Sequence, residues 1–172
     1  MNRLLSAIAF AAHKHRDQRR KDLVASPYIN HPIGLANVLA NEASVEDERV
    51  LIAAVLHDTI EDTETTEQEL IQEFGKEVAD IVLEVTDDKT LAKAERKQRQ
   101  IEHAATLSQR AKLVKLADKI CNLRDIANSP PANWSLERKR EYFEWAKAVV
   151  DGMRGVQPAL EHIFDEAYKL RP

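Results

Sequence analysis

The sequence predicts an all-α fold, built as one unit over residues 1–172, and three observations carry that expectation. Four Gly and six Pro leave few breaks in the chain. Aromatic residues make up only 5%, while Ala, Leu, Glu and Lys dominate, a composition that favours helices over a sandwich or barrel. Apolar residues recur at helical spacing along most segments. A domain of this size buries roughly 70% of the surface its unfolded chain exposes, so a core forms without staples.

The first helix is expected over about residues 2–17, with Leu4, Leu5, Ile8, Ala11, Ala12 and His15 on one stripe. Between His13 and Lys21 lie Lys14, Arg16, Arg19, Arg20 and Lys21 against the single acid Asp17, and a basic loop runs on through Ser26-Pro27. Asn30-His31-Pro32 reads as a helix start, because Asn can cap and Pro is tolerated in a first turn. That helix should reach about Asn41. The run Val50 to Leu56 is apolar on every side, so the third helix should be buried all round.

Thr65-x-x-Gln68 and Thr66-x-x-Glu69 both match a capping box, which places a helix from there to about Gly75. Val78, Ile81, Val82 and Val85 mark a helix from Lys76 to Thr86, left at Asp87-Asp88. Lys93 to about His103 is strongly charged and expected to be exposed, and Leu113, Leu116, Ala117 and Ile120 define a helix from Lys112 to about Ile126. Asn128-Ser129-Pro130-Pro131 breaks the chain, and helices near 135–150 and 158–170 close it. Neither an internal repeat nor a dividing linker interrupts the unit.

The single cysteine, Cys121, excludes an internal disulfide and fits a reducing cytoplasm. No stretch approaches the roughly 20 apolar residues of a membrane span. The start MNRLLSAIAFAAHKH lacks a small-residue cleavage site, so it is expected to belong to the fold. A net charge of −4 argues against general affinity for nucleic acid. Apolar surface near Trp134 and Trp145 could serve either a homodimer interface or the core.

The chemistry concentrates at His57, Asp58, Glu61 and Asp62, directly after the apolar run. On a continuing helix His57 and Glu61 stack one turn apart, as do Asp58 and Asp62. Acids at a helix C-terminus oppose the macrodipole at roughly 0.3–1 kcal/mol each and repel one another; a divalent cation cancels both penalties. Asp118 is an acid among Leu116, Ala117 and Ile120 on a core-facing helix, and a buried carboxylate needs a partner. His31, His57, Asp58 and Asp118 are therefore the candidate ligands, and mixed nitrogen and oxygen donors suit Mn²⁺ or another borderline divalent ion. The plainer readings are that His31 caps a helix and that Asp118 is an exposed acid paired with Lys115 or Lys119. His13 and His15 read as structural, since His15 falls on the apolar stripe and no acids accompany it.

The segments QRRKD…SPYINHPIGLA, AAVLHDTIEDT, EVTDDKT and KLVKLADKICNLRD resemble, in order, the HD-type hydrolase domain of the RelA/SpoT family. The likeness runs over nearly the whole chain and is nearest to the stand-alone small alarmone hydrolases and their metazoan SpoT-homologue relatives. It implies an HD-type helical bundle in which His31, His57, Asp58 and Asp118 hold one Mn²⁺, while Glu61 and Asp62 act on the attacking water. It further implies that Asn122 helps arrange the water and the substrate ribose, and that Arg20 and Lys21 lie against the base and 5′ end of a nucleotide. Lys93 is implied to reach phosphate, and Arg138 and Tyr142 phosphate or base. The loop Asp22 to Pro27 departs from the family in lacking its usual glycine.

The expected activity is Mn²⁺-dependent removal of the 3′-diphosphate of guanosine 3′,5′-bis(diphosphate) or its pentaphosphate relative, with release of pyrophosphate. The chain is too short for the synthetase of the long family members. Adenosine alarmones, or the 2′-phosphate of NADPH, would use the same machinery. A non-catalytic alarmone sensor is the reading from another class, and the Glu61-Asp62 pair speaks against it.

Overall fold

The computed structural model describes residues 2–172, with side chains from Arg3 onward. Among the described residues the fold is all-α: α1 Asn2–Lys14, α2 Asn30–Asn37, α3 Glu48–Leu56, α4 Thr59–Asp62, α5 Glu67–Phe74, α6 Lys76–Val85, α7 Lys93–His103, α8 Gln109–Asn128, α9 Leu136–Asp151 and α10 Pro158–Tyr168. The one β feature among these residues is an isolated bridge between Arg19 and Pro27.

Two helices form the centre. In α3, Val50 and Ile52 to Leu56 are buried and Leu51 is half-buried, as an all-round apolar run requires. It packs against α1, α2, α6 and α8. The long α8 buries Val114, Leu116, Ala117, Ile120 and Leu123, and meets α2, α6, α9 and α10 as well. One contiguous apolar cluster runs from Ala7 in α1 to Ala167 in α10.

Local chemistry sets the ends. Thr66, not Thr65, caps α5, accepting from the Glu69 amide at 3.2 Å, and Gly75 at φ 88° turns the chain into α6. Ser108 caps α8 and Ser135 caps α9; the Ser108 cap starts α8 three residues before the apolar stripe suggests. Asp47 caps α3 through the Arg49 amide and also accepts from Arg110 Nε at 2.7 Å, tying the starts of α3 and α8 together. Asp47→Ala should cost about 0.5–2 kcal/mol, the range for a lost cap, read as a lower urea midpoint at unchanged slope; an unchanged midpoint would remove Asp47 from this role.

Several sequence expectations shift. α1 stops at Lys14 rather than near residue 17, because Gln18 to Tyr28 fold into a paired loop, with the Tyr28 amide on the Gln18 carbonyl and the Arg20 amide on the Ser26 carbonyl. In that loop Asp22 accepts from the Ser26 amide and hydroxyl, and Ala25 takes φ 49°, the left-handed region that a glycine adopts without strain. Asn30 is not a cap: α2 follows a turn whose Pro27 and Tyr28 carbonyls take the first amides. α2 continues through a π turn, Val38–Glu42, which delivers Glu42 to a two-pronged pairing with Arg124. Most important, α3 does not continue through the acids. It ends at Leu56, Asp58 takes φ −101°, and the short α4 carries Glu61 and Asp62 in a new direction.

Candidate active site

The break after α3 aims His57 and Asp58 at the start of α2 and the middle of α8. His57 donates from Nδ1 to the Ala54 carbonyl at 2.9 Å, which leaves Nε2 as the ring nitrogen that can ligate a cation. His31 Nε2 lies 3.2 Å from Asp118 Oδ1, and His57 Nε2 lies 3.9 Å from the same oxygen. One ligand atom from each of His31, His57 and Asp118 falls within 4.8 Å of the others. Asp58 stands beside them, with Oδ2 2.9 Å from His57 Nε2 and accepting from the Tyr28 hydroxyl.

These residues fit a divalent cation. His57 Nε2 is buried and makes no hydrogen bond despite its nearness to Asp58. A buried ring nitrogen that faces a carboxylate at this distance and makes no hydrogen bond of its own is placed to share a cation once its proton is displaced. Both histidines are buried and no thiolate joins the group. The surroundings orient the donors: Asn122 Nδ2 donates to Asp118 Oδ1 at 2.7 Å, and Lys119 Nζ to Asp118 Oδ2 at 3.1 Å. Asp118 is thus neither exposed nor simply paired with a surface lysine, since Lys119 is itself buried and Lys115 is spent on the Val85 carbonyl.

The electrostatics follow from crowding. Burial raises Asp58, but the His57 charge outweighs it and holds the carboxyl well below the usual range. Burial likewise opposes ionisation of Asp118, and Lys119 followed by His31 overcomes it. His31 is lowered by burial. His57 is lowered by burial and raised more strongly by Asp58 and Asp118, to about 9 without a cation. Glu61 is pushed up to about 7 by burial and then by Asp58, against the Asp87 amide that donates to its Oε1 at 2.7 Å. The break at Asp58 therefore gives Glu61 a partner on the loop after α6 instead of a stacked place above His57. Asp62 accepts from Gln18 Nε2 at 3.1 Å and from Lys89.

A two-lobed cleft opens over this group. One lobe, about 400 Å³, holds the His/Asp cluster, Glu61, Asp62 and the cations Lys93, Lys97 and Lys119. The other, about 700 Å³, extends along Arg20, Asn37, Arg124, Asp125 and Trp134. Arg20, Lys21, Asn122 and Tyr142 border both. Arg20 donates to Asp125 at 2.6 Å and lies over the Tyr28 ring. Lys93 is lowered by burial and then by the charges of Arg138, Lys97 and Lys21, the mark of like charges gathered at one place. Arg138 stacks 4.3 Å from the Trp134 ring centre, and Tyr142 sits between Trp134 and Trp145. The two tryptophans thus border the cleft.

Every candidate residue from the sequence borders this cleft or its neighbouring cavity. Tyr28, Gln18, Lys89 and Lys119 were not anticipated. Tyr28 lies three residues before His31, Lys119 next to Asp118 and Lys89 inside the TDDKT segment, so proximity to the motifs was the available signal. His15 is structural in a specific sense: its Nδ1 is 2.7 Å from Gln18 Oε1, which turns the Gln18 amide nitrogen toward Asp62.

Residues 7–144 match the HD domain family. The chain is 54% identical over 165 residues to the guanosine-3′,5′-bis(diphosphate) 3′-pyrophosphohydrolase MESH1 of Xenopus tropicalis, covering 96% of this chain and 92% of that one. It is 55% identical over 168 residues to the human enzyme of the same name, covering 98% and 94%. Among solved structures, a metazoan orthologue of SpoT that hydrolyses ppGpp and plays a role in starvation responses superposes with a TM-score of 0.95 at 48% identity, over 99% of this chain and 96% of that one. The ordered motifs, the converging histidines and carboxylates and these likenesses agree, and the chain belongs to the HD domain family, in its metazoan SpoT-homologue branch.

Proposed function

We propose that residues 1–172 form one metal-dependent pyrophosphohydrolase unit that cleaves the 3′-diphosphate from guanosine 3′,5′-bis(diphosphate), with Mn²⁺ held by His31, His57, Asp58 and Asp118. The observation that carries this reading is the pairing of a buried His/Asp cluster with two carboxylates that lie outside it, Glu61 and Asp62, in a cation-lined cleft. The near-full-length likeness to pyrophosphohydrolases of that name supports the substrate. The buried, unpaired thiol of Cys121, pushed up to about 12 by burial, suits a cytoplasmic setting.

When bound, the ion supplies Lewis acidity, lowering the pKa of water and drawing charge from the phosphorus under attack. The protein's own groups manage the rest. A water oxygen bonds to the proximal phosphorus of the 3′-diphosphate, the bond from that phosphorus to the ribose 3′-oxygen breaks, and pyrophosphate and GDP leave. Glu61, balanced near neutrality, can take a proton from the attacking water and return one to the departing 3′-oxygen. Asp62, fixed by two donors, orients the water. Asn122 bridges Asp118 and Arg20, placing the ribose between metal cluster and cationic rim. Lys93, Arg20 and Lys21, with Arg138 in the adjoining cavity that Lys93 and Tyr142 also border, offset a substrate with two diphosphates, and Tyr142 offers a ring face to the base.

Incubating the protein with guanosine tetraphosphate, its adenosine counterpart and NADPH, each with Mn²⁺ or chelator, tests this reading. Metal-dependent pyrophosphate from the guanosine compound is expected. Orthophosphate from NADPH alone, or no product at all, would overturn it.

Metal uptake should also release protons. His57 lies near 9 in the free protein, so below that pH it holds a proton that the ion must displace, and affinity rises as pH climbs toward 9. Calorimetry at pH 7.5 in two buffers of different ionisation enthalpy should show this release. Identical heats in both buffers would argue against ligation by His57.

A further inference from the structure

The loop between α6 and α7, residues 86–92, touches both acids outside the His/Asp cluster. Its Asp87 amide donates to Glu61, and its Lys89 ammonium pairs with Asp62 Oδ1. The loop's shape is set from within and behind: the Thr90 amide and hydroxyl both donate to Asp88 Oδ1, at 2.9 and 2.6 Å, and Gln100 of α7 donates to Asp87 at 2.7 Å. On the opposite side, Gln18 holds Asp62 Oδ2. Asp62 is therefore gripped at each oxygen by a different segment, one neutral donor and one cation.

We propose that Lys89 is a positioning residue for Asp62, clamping its carboxylate against Gln18 so that one orientation faces the attacking water. The inference rests on the reading of Asp62 given above. Two donors in line with two oxygens fix the rotation of a carboxyl group that a single donor leaves free, and misplacement of a reacting group by about 1 Å costs on the order of a hundredfold in rate. Lys89 is suited to this because it is half exposed, at 50% against 18% for Asp62, so its loss removes a contact without opening the core. It does not approach the reacting atoms through any contact of its own; it acts through Asp62.

The test compares Lys89→Met and Lys89→Arg with the wild-type protein. Lys89→Met should lower kcat for guanosine tetraphosphate about tenfold to a hundredfold, with KM, Mn²⁺ affinity and melting temperature unchanged. Lys89→Arg, which keeps a cationic donor, should recover most of the rate. In protein carrying ¹³C-labelled aspartate, the Asp62 carboxyl resonance should move in Lys89→Met and return in Lys89→Arg. That resonance is read without substrate, so it distinguishes failure of the clamp from failure of the proposed reaction. A raised KM at unchanged kcat would assign Lys89 to the substrate, lost metal binding or melting temperature would make its role structural, and an unmoved Asp62 resonance would remove the contact; each would overturn the proposal.

Discussion

Asp62→Asn is expected to lower turnover by about 100- to 10 000-fold, the contribution of a positioned acid or base, while Mn²⁺ binding stays intact. Asparagine keeps the size of Asp62 but carries no charge. It turns at least one of the two positions now gripped by Gln18 and Lys89 into a donor facing a donor. Glu61→Gln should give a loss of the same order for a different reason. Glutamine still accepts from the Asp87 amide, so the geometry survives, but the group poised at about 7 no longer exchanges a proton. Single-turnover rates alongside calorimetric Mn²⁺ titration check both. Wild-type rates in either variant would remove that residue from the mechanism, and lost metal binding would make it a ligand instead.

Removing the metal should lower the melting temperature by about 5–11 °C relative to protein held at a hundredfold excess over Kd. Binding at that excess contributes about 2.7 kcal/mol, and for a domain of this size about 1 kcal/mol moves the midpoint by about 2–4 °C. The cause lies in the cluster: without the ion, Asp58 and Asp118 stay ionised in the interior and rely on His57, Lys119 and His31 for compensation. Thermal melts with chelator, and again after Mn²⁺ is restored, measure this. His57→Ala should melt at one temperature in both conditions. A wild-type melt indifferent to chelator would contradict the assignment.

The helical architecture was legible because α3 and α8 announce themselves: an uninterrupted apolar run in one, an apolar stripe in the other. The candidate ligands were legible because a carboxylate such as Asp118 has no reason to sit among Leu116, Ala117 and Ile120 unless something pairs with it. What spacing concealed was the break at Asp58. Thr59 folds back to the Leu56 carbonyl through its hydroxyl at 2.7 Å and is fully buried, which ends α3 and redirects Glu61 and Asp62. No pattern of apolar residues encodes that turn. Gln18 and Lys89 were hidden for a related reason: each reaches Asp62 from 44 and 27 residues away, through loops whose paths depend on the finished fold. The early end of α1 follows from the same loop, since the pairing of Gln18 with Tyr28 competes with another helical turn.

A crystal of the protein grown with Mn²⁺, with diffraction recorded at the manganese absorption edge, tests the central assignment most directly. The expected result is one strong anomalous peak within bonding distance of nitrogen atoms of His31 and His57 and oxygen atoms of Asp58 and Asp118, with Glu61 and Asp62 beyond it. A peak bound by Glu61 or Asp62 in place of Asp58, or none between α2, α3 and α8, would contradict it.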